Sequence, residues 1–173
     1  IDIYAQGERI ERPIKELDAA VSNASKGEYK HYMLKEIYEQ PDAIQQTISQ
    51  ALNSNALRED FLKNAELDFS KIQSVQIIAC GTSYHSGMIA ALRETQKRAK
   101  ANALDIVTLS ICNVATSSMV RETDHHLLTL AGPEIGVAST KEFTTQLAAL
   151  MLLILKVGQV KQQISSEQIA EIA

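Results

Sequence analysis

The stretch Val75 to Ile89, Val-Gln-Ile-Ile-Ala-Cys-Gly-Thr-Ser-Tyr-His-Ser-Gly-Met-Ile, predicts a strand that turns into a helix. Its first six residues are almost wholly apolar, which is typical of a parallel strand buried on both faces. Gly81 ends the run, and Thr82 and Ser83 follow where a helix would begin. Backbone N–H groups, two hydroxyls and a positive helix end then meet at one place, which suits an anion such as a phosphate ester. A simple helix cap by Thr82 or Ser83 is the alternative interpretation.

Composition argues against several classes of protein. The net charge of −4 gives no reason to expect nucleic acid or an anionic membrane as a partner. Both cysteines, Cys80 and Cys112, lie in apolar runs, as buried free thiols of a reducing compartment do. The start of the chain, Ile1 to Arg12, is charged and alternating, unlike a signal peptide. The strongly apolar run Leu147 to Leu155 is shorter than the ~18–20 residues that span a bilayer. We expect a soluble, cytoplasmic protein with no membrane partner.

Further strand and helix patterns follow the opening stretch. Buried strands are predicted at Asp105–Cys112 and His125–Leu130, and a helix at Lys141–Lys156 that is apolar nearly all round and so should be buried. Ser139 or Thr140 is a natural cap for that helix, and Gly158 is expected to end it. The pattern predicts an α/β fold with a parallel sheet flanked by helices, whose ligands bind at the carboxyl ends of the strands.

The sequence does not predict a metal or a bound cofactor. His125 and His126 are adjacent on a strand and point to opposite faces, so they cannot chelate one ion. The glycine patterns of dinucleotide-binding and P-loop proteins do not occur.

The N-terminal region has a different organisation. Ile1 to Arg12 predicts a β-hairpin, and Pro13 to Gly27 a linker. An amphipathic helix is expected from Tyr29 to Gln40, ended by Pro41, with a second helix from Pro41 to Leu52. A short helix is predicted at Arg58–Ala65.

Three stretches in this order resemble the glutamine–fructose-6-phosphate aminotransferase (isomerising) family. They are Tyr29–Pro41 (YKHYMLKEIYEQP), Ala79–Tyr84 (ACGTSY) and Glu134–Lys141 (EIGVASTK), with Ser110–Val114 and Ser117–Ser118 between them. The resemblance covers essentially the whole chain. It assigns residues 29–173 to the first sugar-isomerase (SIS) domain of the isomerase half, with a three-layer, flavodoxin-like fold. Residues 1–28 then resemble the end of an amidotransferase domain and a linker.

The resemblance also implies a function and a site. The family makes glucosamine 6-phosphate and glutamate from fructose 6-phosphate and glutamine, without a cofactor and as a dimer. Carried over by motif, Gly81, Thr82 and Ser83 would surround the sugar phosphate, while Val137 and Ser139 would contact the sugar. Alternatively, Val137 is a packed loop residue and Ser139 a helix cap. Lys141 would add positive charge near the ligand or be a solvated helix lysine.

Parts of the family pattern are missing from this sequence. The glutaminase domain and the second SIS domain, with the catalytic residues, are absent, so no catalytic residue is assigned and the chain alone is expected to be inactive. On the order of forty family residues, including a phosphate loop, are also missing where Ala90 meets Ala91. We interpret Ala90 and Ala91 as residues that a deleted or unseen segment separates.

Two other functions remain open on the sequence. One is a non-catalytic SIS module that senses a sugar phosphate, which a fused DNA-binding helix-turn-helix would favour. The other is a plain phosphosugar isomerase, which would not need the upstream hairpin.

Overall fold

The structure is a computed structural model that describes residues 3–5, 8–10, 25–62, 68–75, 101 and 106–172. At the N-terminus, strands β1 (Ile3–Ala5) and β2 (Glu8–Ile10) pair antiparallel, with Tyr4 opposite Arg9. The hairpin expected from the alternating sequence is therefore confirmed. Most of the predicted linker that follows lies outside the described residues.

A single helix, α1 (Tyr32–Ser49), replaces the two helices that the sequence predicts around Pro41. Proline has no N–H to donate to the carbonyl of Ile37, four residues earlier, and this usually breaks a helix. Here the side-chain amide of Gln40 donates to that carbonyl at 3.1 Å. The helix therefore passes through Pro41, and the prediction of a break was wrong.

The predicted short helix at Arg58–Ala65 is also wrong over its described part. A tight hairpin of β3 (Leu52–Asn53) and β4 (Ala56–Leu57), with Ser54 at a φ of 55°, precedes this segment. Turn residues follow, in which the Arg58 guanidinium is paired with the Asp60 carboxylate at 2.8 Å. A turn of 3-10 helix, Phe69–Lys71, comes next.

Two parallel strands form the described part of the α/β sheet. Strand β5 (Leu109–Cys112) pairs with β6 (His125–Leu128), Leu109 opposite His125, and the short helix α2 (Ser118–Glu122) connects them. Both strands are shorter than predicted, and each has four residues. Val75, the predicted start of the opening strand, is exposed and not in a strand, and residues 76–80 lie outside the described part.

Helix α3 (Lys141–Val160) runs past Gly158, which the sequence predicts as its end. A Cβ at Gly158 would lie 2.5 Å from Cδ1 of Ile164, so glycine makes room for the chain that folds back there. The amides of Gln163 and Ile164 both donate to the Gly158 carbonyl before helix α4 (Ser166–Ile172) begins. Gly158 therefore allows Ile164 to pack against the helix, and it does not end the helix.

Helices α1 and α3 pack along each other, α3 also contacts β5, and the strands of the small hairpin contact α1 and α4 around the core. Its buried apolar residues are Ala51, Leu57, Phe61, Leu127, Ala149, Leu152, Leu155 and Ile169. The opposite face of α3 is not buried, contrary to the sequence prediction. Its apolar stripe, formed by Phe143, Leu147, Met151 and Ile154, is between 49% and 58% exposed. By length and composition this helix could also cross a membrane, a test that core helices of soluble proteins pass as well.

Candidate functional site

The candidate site lies in the loop 129–140, which leaves the carboxyl end of β6 and leads into α3. The chain turns sharply at its start, where Leu130 has a φ of 53° and Gly132 a φ of 72°. Glycine adopts a positive φ freely, whereas for leucine this conformation costs about 1–2 kcal/mol. The surroundings therefore impose the shape of this loop, which carries both Val137 and Ser139.

Val137 and Ser139 are both accessible from solvent. The Val137 side chain is fully exposed, so the packed loop residue that the sequence allowed as an alternative is wrong. A contact from Val137 to a ligand would have to use its backbone or its exposed methyl groups. The Ser139 hydroxyl donates to the Glu134 carboxylate at 3.2 Å, which orients it at the loop surface.

Glu134 caps helix α3, a role that the sequence analysis gave to Ser139 or Thr140. Thr140 occupies the cap position, but its side chain accepts no hydrogen bond from the helix. The Glu134 carboxylate instead accepts from the Thr140 N–H at 2.8 Å and from the Thr140 hydroxyl at 2.9 Å. Partial burial raises the pKa of Glu134, but these hydrogen bonds and those from Glu142 and Ser139 outweigh it and leave the pKa below 4.5.

Glu36 of helix α1 binds the main chain of the same loop. Its side chain is buried, with 2% of the residue exposed. Oε1 accepts from the N–H of Ile135 at 2.6 Å and from that of Gly136 at 3.0 Å. A buried carboxylate thus satisfies two loop amides that the loop itself leaves without a backbone partner.

Lys141 forms a second connection between α3 and α1. It is 4% exposed, and its Nζ lies 2.7 Å from Oε2 of Glu39. The interpretation of Lys141 as a solvated helix lysine is therefore wrong, whereas a positive charge near the ligand stays a prediction. Partial burial raises the pKa of Glu39, but the hydrogen bond and charge of Lys141, with a lesser contribution from Lys35, lower it to a net value below 4.5.

Asn113 joins the end of β5 to the start of this loop. Its amide nitrogen donates to the carbonyl of Gly132 at 2.7 Å, and its Oδ1 accepts from the N–H of Ala131 at 2.9 Å. Sequence reasoning missed Asn113, Glu36 and Glu134. The sequence positions of two of them could have indicated a role, since Asn113 directly follows a strand and Glu134 precedes the start of a helix. Glu36 offered no such signal, because its partners are 99 and 100 residues away.

Gly81, Thr82 and Ser83, the other predicted site residues, lie outside the described residues, as do Ala90 and Ala91. That Gly81, Thr82 and Ser83 lie close to loop 129–140 therefore stays a prediction. A cleft of about 400 Å³ lies elsewhere, against residues 60–62 and 124–128 along β6, and includes neither Val137 nor Ser139. Among the described residues, no group of three or more metal-ligating side chains occurs.

Comparison with known proteins gives consistent matches. The family model of the SIS domain matches residues 92–156. Glutamine--fructose-6-phosphate aminotransferase (isomerizing) of Acinetobacter baylyi is 66% identical over 220 residues, which cover 100% of this chain and 36% of that protein. The enzyme of the same name from Pseudomonas aeruginosa is 42% identical, over 96% of this chain and 34% of that protein.

A solved structure supports the fold. The C-terminal domain of glucosamine-fructose-6-phosphate aminotransferase from Francisella tularensis matches with a TM-score of 0.71 and 36% identity, over 86% of this chain and 53% of that one. The described helices and parallel strand pair thus belong to an incomplete SIS-type α/β fold, as the sequence predicts. The chain spans about a third of the length of the curated relatives it matches. Over its whole length the chain is similar to a part of the glutamine–fructose-6-phosphate aminotransferases, and its residues 92–156 match an SIS domain.

Proposed function

We propose that this chain forms one wall of a fructose 6-phosphate site in the isomerase half of a glutamine–fructose-6-phosphate aminotransferase. The observation that carries the proposal is 66% identity to such an enzyme across the whole chain. The site consists of the exposed loop residues Val137 and Ser139, together with Gly81, Thr82 and Ser83. Loop 129–140 supports this assignment, because it follows a parallel strand at its carboxyl end, where ligands of α/β sheets bind.

The contribution of this chain to the reaction is to bind and orient the sugar. The complete enzyme would form glucosamine 6-phosphate and glutamate from fructose 6-phosphate and glutamine. Its chemistry requires positioned acid–base groups that move protons between neighbouring carbons, together with a held phosphate. No residue of this chain is assigned to the proton transfers. We therefore expect binding without turnover from this chain alone.

The domain division extends the same proposal. Residues 1–28 would be the end of an amidotransferase domain and a linker, and residues 29–173 the first SIS domain with a segment missing between 90 and 91. The alignment to the A. baylyi protein supports the missing segment, since it extends over 220 residues against 173 in this chain, a difference of 47. The SIS match also begins at residue 92, directly after the junction.

The family resemblance also predicts the ligand, the assembly and the compartment of the protein. We expect a sugar phosphate as the small-molecule partner, a homodimer as the assembly, and the cytoplasm as the compartment. Size-exclusion chromatography with light scattering on the purified chain would measure the assembly directly. A strictly monomeric protein at all concentrations would contradict the dimer.

Binding is tested by NMR titration of the chain with fructose 6-phosphate, since this method also detects weak complexes. We expect shifts of the amides in loop 129–140, and none with fructose, which lacks the phosphate. Ser139→Ala should weaken binding by about 1 kcal/mol through the lost hydrogen bond. Ser49→Ala, at an exposed serine near the far end of α1, is the matched control and should bind as the unaltered chain does.

The same preparation tests the lack of turnover. Incubation with fructose 6-phosphate and either glutamine or ammonia should give no glucosamine 6-phosphate. Formation of that product, or unchanged loop amides at saturating fructose 6-phosphate, would contradict the proposed function.

A further inference from the structure

We propose that Glu36 is a positioning residue for the sugar: its carboxylate, from another element, holds the main chain of loop 134–140 in the conformation that takes the ligand. The inference rests on the proposed function, since it concerns the same loop. It adds a residue of helix α1 that itself contacts no proposed ligand atom.

The geometry of Glu36 favours a role in fixing the loop. The loop amides of Ile135 and Gly136 converge on one carboxylate, at 2.6 Å for Ile135 and at 3.0 and 3.1 Å for Gly136. Ile135 precedes Val137 by two residues and Ser139 by four, so a displacement at Ile135 passes directly to the proposed contacts. Hydrogen bonds to a charged acceptor are shorter and about twice as strong as neutral ones, so this attachment is stiff.

Gly136 is the complementary half of this attachment. A Cβ at this position would lie 2.4 Å from Oε2 of Glu36 and 3.4 Å from Cα of Met33. The first distance is too short for any real contact, so a side chain at Gly136 would displace the carboxylate or the loop. The absence of a side chain thus lets the loop lie directly on helix α1.

On the opposite side, the loop is tied to its own helix. Glu134 binds the first turn of α3, and Lys141 at the start of α3 is paired with Glu39, one turn after Glu36 on α1. The main chain of residues 135–139 is therefore held at one end by Glu36 of α1 and at the other by the first turn of α3. Without Glu36 the first attachment would be lost, whereas the second would remain.

The experiment separates positioning from simple stabilisation. Fructose 6-phosphate affinity is measured by NMR titration for the unaltered chain and for Glu36→Ala, Glu36→Gln, Gly136→Ala and Leu155→Ala. Leu155 is buried in the core fourteen residues after Lys141, about 21 Å along α3, so its variant lowers stability without touching the loop. Amide hydrogen exchange at Ile135 and Gly136 is recorded in parallel.

We expect Glu36→Ala and Gly136→Ala to raise the Kd about tenfold, since small misplacements of binding groups have large effects. Glu36→Gln keeps one oxygen acceptor and should recover part of the affinity. Exchange at Ile135 and Gly136 should accelerate in Glu36→Ala and much less in Leu155→Ala, whose Kd should stay unchanged.

Two results would overturn the inference, and they are distinguishable. If the unaltered chain binds but Glu36→Ala binds equally well, Glu36 does not position the loop while the proposed function stands. If the unaltered chain does not bind, the proposed function fails, and the role of Glu36 toward a sugar fails with it.

Discussion

Glu39 and Lys141 form an ion pair whose two members differ in their surroundings. The Lys141 side chain is 5% exposed and that of Glu39 is 32% exposed. Glu39 also lies 3.3 Å from the ammonium of Lys35, one turn earlier on α1. Loss of Lys141 would therefore leave Glu39 paired and partly hydrated, whereas loss of Glu39 would leave a buried ammonium without its carboxylate.

This asymmetry predicts unequal effects of the two neutralising variants. Glu39→Gln should lower the free energy of unfolding by about 3 kcal/mol, as expected when a buried charge loses its partner. Lys141→Met keeps the apolar stem and should cost less than about 1 kcal/mol. Urea denaturation at neutral pH measures both values. Equal costs, or a larger cost for Lys141→Met, would contradict this account.

At the scale of elements, helix α1 shows how a proline is accommodated within a helix. The carbonyl of Ile37, which Pro41 cannot serve, accepts from the side chain of Gln40. A replacement donor next to the proline keeps the carbonyl satisfied, although the proline ring still crowds the preceding turn.

A double-mutant cycle tests this local replacement. Pro41→Ala restores the backbone donor and should raise the free energy of unfolding by about 2 kcal/mol, below the full cost of a helical proline because the unfolded chain gains entropy. Gln40→Ala alone should lower it by about 0.5 kcal/mol, but should have almost no effect when Pro41→Ala is present. Additive effects in urea denaturation would show that the Gln40 amide does not stand in for the missing donor.

The elements that sequence reasoning predicted well are those with local signals. The parallel order of β5 and β6 and the start of α3 at Lys141 both follow from patterns within a few residues. The break at Pro41 and the end at Gly158 were wrong, because a side-chain donor and a returning chain, respectively, overrode local preference. Val137 and Ser139 are exposed in the loop before α3, and their contact with a sugar stays a prediction. The attachment of this loop to Glu36 depends on tertiary contact and has no local pattern.

For the whole molecule, the acid side of the stability profile follows from its carboxylates. Burial raises the pKa of Glu39 and of Glu134, but Lys141 for the first and the Thr140 donors for the second leave both below 4.5 in the folded state. Each carboxylate therefore stabilises the fold above about pH 4.5, and this contribution is lost as the pH falls through the lower folded pKa.

The prediction is a free energy of unfolding that decreases as the pH is lowered below about 4.5, with a shallower decrease in Glu134→Gln. Urea denaturation across a series of acidic pH values measures the slope. Glu171→Gln, at an exposed carboxylate near the end of α4, is the control and should leave the slope unchanged. A Glu134→Gln slope equal to that of the control would contradict the assigned role of Glu134 as the helix cap.

The exposed apolar stripe of helix α3, Phe143, Leu147, Met151 and Ile154, has a colloidal consequence for the molecule. The isoelectric point is about 5.6, so repulsion between molecules disappears in weakly acidic solution. Under those conditions no electrostatic barrier opposes contact between stripes, and sulfate salts strengthen such contacts further. Solubility should therefore be lowest in mildly acidic, sulfate-rich buffers and highest in mildly alkaline buffers of low salt.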